Sequence, residues 1–200
     1  TINAFWVWLR AEYGFSDRQI RKYTFNLAPF LVDKQAIQQG YVTSEPYTIE
    51  TRGGFKPQVF LLSDYGYPSY AAMVLARNDW IENRPEHVQA FVNATIEGWR
   101  SYVYGDPSPG NQLILSANPD MTPEIIEQAI EQIRSRAMLQ SEDTKANGIG
   151  TMTRERWQMF FHTMSAHGVY APALDWQHAF TTRFVNQTQV SQPALAPANR

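Results

Sequence analysis

Gly40-Tyr41-Val42-Thr43-Ser44-Glu45-Pro46-Tyr47 packs a stop, a strand and a helix start into one short stretch. Gly40 ends what precedes it. Tyr41-Val42-Thr43 has the aromatic and β-branched character of a brief strand. Ser44-Glu45-Pro46 opens a helix, because proline is tolerated in a first turn. A strand feeding a helix is the repeating unit of α/β layers, and the flanking sequence reads the same way. Arg18 to Phe25 is an expected strand on Ile20, Tyr23 and Phe25, and Asp33 the expected cap of a short helix carrying Ala36 and Ile37. Further upstream Ile2, Phe5, Trp6, Leu9 and Tyr13 recur at helical spacing, with Gly14 as the stop.

Downstream, Arg52-Gly53-Gly54 breaks the chain and Val59 to Leu62 reads as a buried strand. Ser63-Asp64-Tyr65-Gly66-Tyr67-Pro68 is rich in turn residues, and Tyr70 to Ala76 reads as one more strand. Helical patterns then take over. Asn83 and Pro85 start a long helix with Val88, Phe91, Val92, Thr95, Ile96, Trp99 and Val103 on one face, ended by Gly105-Asp106-Pro107. Thr122-Pro123-Glu124 starts a second on Ile125, Ile126, Ala129, Ile130 and Ile133. Thr153 starts a third on Trp157, Phe160, Phe161 and Met164, closed by Gly168. A short helix over 175–185 and a polar, Pro- and Ala-rich tail over 188–200 complete the reading.

The expected fold class is therefore α/β. Long amphipathic helices need a sheet to pack on, and the strands in view are too few. This predicts a strand-bearing segment upstream of Thr1, in keeping with a start that has neither a charged region nor a signal-like apolar run.

Composition excludes several functions. The chain has 200 residues, no cysteine and a formal net charge of −2. Thiolate catalysis, thiolate zinc sites and disulfide scaffolds are out. Neither nucleic acid nor an anionic membrane would find a basic face, and no apolar run approaches the roughly 20 residues of a membrane span. His87, His162, His167 and His178 have no metal-ligand spacing, and no nucleophile elbow, phosphate loop or dinucleotide fingerprint occurs. No catalytic residue, metal or cofactor is expected.

Two stretches could carry binding. Glu45 stands at a strand-to-helix junction, where it can accept two hydrogen bonds from an amino-substituted heterocycle or simply favour the positive end of its helix. Asp64-Tyr65-Gly66-Tyr67-Pro68-Ser69-Tyr70 sets three flat amphipathic rings around a stiff turn, for stacking on a planar ligand or for packing. The residues alone leave both alternatives open.

These stretches, followed by Arg77 to Phe91 (Arg-x-Asp-Trp-Ile-x-x-x-Pro-Glu-x-Val-x-x-Phe), resemble the ABC-transporter substrate-binding proteins of the NitT/TauT type, in the branch that binds thiamine-pyrimidine precursors. The resemblance runs over about residues 1–187. It implies a periplasmic-binding-protein-like fold (type II) of two α/β lobes and a hinge, lacking its N-terminal portion. On that map residues 1–61 form most of the second lobe, 62–70 the hinge crossing and 71–187 the helical part of the first lobe. It further implies a monomeric, periplasmic or lipid-anchored extracytoplasmic protein. Such a protein would hand a small planar ligand to a permease, with Glu45, Asp64, Tyr65, Tyr67 and Tyr70 as ligand contacts. An amino-pyrimidine is the expected ligand; a thiamine-pyrimidine synthase-like enzyme, a binder of riboflavin, a sulfonate or nitrate, or a sensory ligand-binding module are alternatives. Related synthases carry a Cys-Cys-Cys-Phe-Cys stretch where this chain has Gly66-Tyr67-Pro68-Ser69-Tyr70, so binding rather than an enzyme activity is expected.

Overall fold

Residues 4–24 and 26–185 are described by a computed structural model, and among them helix is the only regular secondary structure. The helices are α1 (Ala4–Tyr13), α2 (Ala28–Val32), α3 (Glu45–Gly53), α4 (Asn78–Asn83), α5 (Pro85–Tyr104), α6 (Ser108–Ala117), α7 (Pro123–Ser135), α8 (Glu142–Asn147) and α9 (Arg154–Ala166).

The long helices begin and end where their residues require. Pro85 and Pro123 occupy first turns, where their missing N–H is no loss. The hydroxyls of Thr122 and Thr153 accept from the amides of Ile125 and Arg156, satisfying donors that a helix start leaves orphaned. Gly14 (φ 70°) and Gly54 (φ 70°) stop α1 and α3 in the left-handed region that residues with a side chain avoid.

Packing centres on α7, which touches α3, α5 and α6. Ile126 and Ile130 are its buried residues, and its Arg134 donates from Nε to the carbonyl of Val103 in α5. Gly110 of α6 lies under the Tyr102 ring, where a Cβ would come within 2.8 Å of the ring carbons. Val88 and Val92 of α5 form a second buried group with Phe184 and Val185, flanked by Ala76, Ile81 and Ile96. Gln89 ties this strap down by donating to the Phe184 carbonyl at 2.9 Å. α9 packs on α1, with Phe161 and Met164 buried.

The α/β expectation does not hold. No strand or sheet occurs among the described residues, so neither do two α/β lobes. Residues 18–24 form a 3-10 turn (Asp17–Gln19) and irregular chain, and Phe25 lies outside the described residues. Residues 41–43 form a turn leading into α3, 59–61 and 70–76 are irregular, and Leu62 opens a 3-10 turn. The physical reason is pairing. Residues 55–60 and 68–76 form no backbone–backbone hydrogen bond with any described residue, and Pro57 and Pro68 each remove a donor a ladder would use. Several of their large apolar side chains stay out: Phe60 is 61% exposed and Leu75 97%. The pattern of a strand is present without the neighbour that would make it one.

Two helices are also displaced from expectation. Asp33 closes α2 instead of opening a helix, its carboxylate capping a single turn at Gln35. Over 175–185 only Trp176–His178 is helical, as one 3-10 turn. The tail from Asn186 lies outside the described residues.

Candidate functional site

The five expected site residues fall into two places. Glu45 is the first residue of α3 and half-buried. Its Oε2 accepts from the Tyr41 amide at 2.7 Å and its Oε1 from the Tyr23 hydroxyl at 3.2 Å. The carboxylate thus folds back over its own loop. That requires Gly40, where a Cβ would meet the Glu45 Cβ at 2.8 Å and Cγ at 2.9 Å. Burial pushes the Tyr23 phenol up, and the nearby Glu45 charge adds to the shift, so Tyr23 stays protonated as a donor. A pocket of about 170 Å³ adjoins this loop, lined by Val42 and Pro46 with Lys56, Gln132 and Arg136 among others.

The turn from Asp64 to Tyr70 stands elsewhere, against α1 and α9. Leu62–Tyr65 forms a 3-10 turn that Gly66 ends at φ 94°. The three tyrosines then diverge. Tyr67 is half-buried between Trp8 of α1 (5.2 Å between ring centres) and Phe160 of α9 (6.0 Å), and burial pushes its phenol up. The Tyr70 hydroxyl accepts from the Thr153 amide at 2.9 Å, and its ring lies near Trp157. Tyr65 remains 49% exposed. Its ring neighbours are Tyr13 (6.5 Å, edge-on) and Phe60 (6.0 Å, tilted), themselves 50% and 61% exposed. The Tyr13 hydroxyl donates to the Tyr65 carbonyl at 3.3 Å, fixing that end of the turn. Asp64 is exposed, and the only contact described for its carboxylate is the Ser63 hydroxyl at 3.5 Å, too long to satisfy it.

Ring contacts run without a break from Tyr65 through Tyr13, Trp8, Tyr67, Phe160, Tyr170, Phe161, Trp176, Phe180 and Trp157 back to Tyr70. The tightest pair is Trp157 on Phe180, 4.8 Å apart and nearly parallel. This loop of rings carries both ends of the turn. His167 adds a polar tie between α9 and α1, Nε2 to Glu12 Oε1 at 3.0 Å. The sequence reading missed Tyr13 and Phe60 as neighbours of Tyr65, having placed one in a helix core and the other in a strand. The available signal was aromatic density, with Tyr13 and Phe15 in one stretch and Phe60, Tyr65, Tyr67 and Tyr70 in the other.

No described hydrogen bond or ring contact joins Glu45 to the tyrosine turn. Among the described residues no group of three or more His, Asp or Glu is arranged to hold a metal ion, and no helix is long and apolar enough to cross a membrane. The NMT1/THI5-like family matches residues 9–109, about half of the chain. The chain belongs to that family, which is part of the NitT/TauT-type substrate-binding group. The matched span holds both stretches, and membership fits a solute-binding role for a small molecule. No curated protein and no solved structure matches the chain significantly.

Proposed function

We propose that this chain is the solute-binding component of an ABC importer, that it takes a small planar polar solute, an amino-pyrimidine thiamine precursor above others, and that it is not an enzyme. The observation that carries this reading is the exposed cluster of Tyr13, Tyr65 and Phe60 next to the uncommitted carboxylate of Asp64. Flat rings supply stacking surface for a heterocycle, and a carboxylate with open lone pairs accepts from its amino group. Glu45 is the weaker acceptor on this reading, because both of its oxygens already hold its own loop. Neither taurine nor nitrate uses a stacking surface. Delivery to a permease would place the chain outside the cytoplasmic membrane, in the periplasm or on a lipid anchor, which cell fractionation checks.

Calorimetric titration with an amino-pyrimidine, riboflavin, taurine and nitrate tests the ligand class. The amino-pyrimidine binds, Asp64→Asn weakens it about tenfold, the worth of roughly one charged hydrogen bond, and Glu45→Gln changes affinity little. Preference for nitrate or taurine would sink the stacked-heterocycle reading, and consumption of the pyrimidine would sink the binding-only reading.

A further inference from the structure

Beyond the rings themselves, we infer that Arg156, outside the family-matched span, is the positioning residue that holds the tyrosine turn in the shape that presents Tyr65; its part in binding rests on the solute-binding reading. Arg156 stands in the first turn of α9 and is half-buried. Its Nε donates to the Pro68 carbonyl at 3.2 Å and its Nη2 to the Ser69 carbonyl at 2.9 Å. The same guanidinium lies over the Tyr70 ring, 4.4 Å from its centre. Its charge meets no acid among the described residues and is balanced by two carbonyl dipoles and a ring face.

That arrangement answers a need of the turn. Residues 68–76 form no backbone–backbone hydrogen bond with described residues, so nothing in the turn's own backbone fixes the carbonyls of Pro68 and Ser69. Arg156 supplies both partners at once, and the planar fork makes the two bonds and the stack compatible. The Thr153 amide holds the Tyr70 hydroxyl from the same helix end. The turn is thereby gripped at Pro68 to Tyr70 by α9 and at Tyr65 by Tyr13 of α1. Between the grips Gly66 takes a φ of 94°, a conformation that suits glycine.

The test uses the whole chain and compares Arg156→Met and Arg156→Lys with the parent by amide exchange and by amino-pyrimidine titration. With methionine, exchange at the bonded amides of Tyr67 and Thr153 accelerates at least tenfold while amides of α5 and α7 keep their rates. Affinity falls about tenfold alongside. Lysine, which can serve one carbonyl but not two and a stack, falls between. Unchanged exchange at Tyr67 and Thr153 in Arg156→Met would overturn the hold on the turn. Accelerated exchange with undiminished affinity would overturn the link to binding. If the parent binds no amino-pyrimidine, that ligand reading fails, while the exchange arm still decides whether Arg156 holds the turn.

Discussion

The loop that carries Glu45 and the turn that carries Asp64 are assembled from the same parts, a glycine, tyrosines and a carboxylate in a first helical turn, yet only in the loop does the carboxylate fold back on its own chain. Glu45 wraps over Gly40 and takes the Tyr41 amide and the Tyr23 hydroxyl, so both of its oxygens are engaged in folding. Asp64 keeps its carboxylate in solvent beside an exposed ring, while the turn is gripped from outside by α1 and α9. A motif residue can thus serve its own loop while another carboxylate stays open to solvent. Separating those roles requires asking where each lone pair goes.

The contrast can be broken from either side. Gly40→Ala has the largest expected effect, because its Cβ would sit within 3.0 Å of three Glu45 side-chain carbons. Displacing that side chain forfeits two hydrogen bonds to a carboxylate, a loss of about 2 kcal/mol. Thermal unfolding should shift down while amino-pyrimidine affinity holds; a large loss of affinity would put Glu45 back among the ligand contacts. Gly66→Ala should cost about 1 kcal/mol for a side chain forced to φ 94°, and here affinity should fall with stability because the turn presents Tyr65.

The smallest effect is a pH dependence. The Tyr23 phenol is raised by burial first and by Glu45 second, from an ordinary value of 10.0. A raised phenol stabilises the folded chain fully below pH 10.0 and ceases to as pH climbs through its folded value. Tyr23→Phe should therefore flatten part of the fall in stability above that pH, as read by urea midpoints across an alkaline series. Tyr67, Tyr102 and Tyr104 are also raised by burial, so some of the fall persists.

The helices were largely legible and the sheet was not, for one reason. A helix satisfies its backbone within its own residues, so Thr122-Pro123 or Thr153 with an apolar face beyond it nearly suffices to specify α7 or α9. A strand satisfies its backbone only across a pair, so Met73, Val74 and Leu75 can show a strand's composition while the chain stays irregular. Short helices escaped for the opposite reason: in α2 and α6 the signal is Pro29 or Pro109 in a first turn with little apolar period behind it. At the site the turn itself was readable from Gly66 and Pro68. Which tyrosine stays open was not, because Tyr67 and Tyr70 are covered by Trp8, Phe160 and Arg156, remote in sequence.

The bare run from Met73 to Leu75 has a further consequence for handling the protein. With Leu75 at 97% exposure and no ladder bonds to described residues on either side, it is a ready template for another chain's backbone at high concentration. Colloidal behaviour would then be decided there and not by the net charge of −2, and a single lysine at position 75 should improve solubility while leaving the unfolding midpoint where it was.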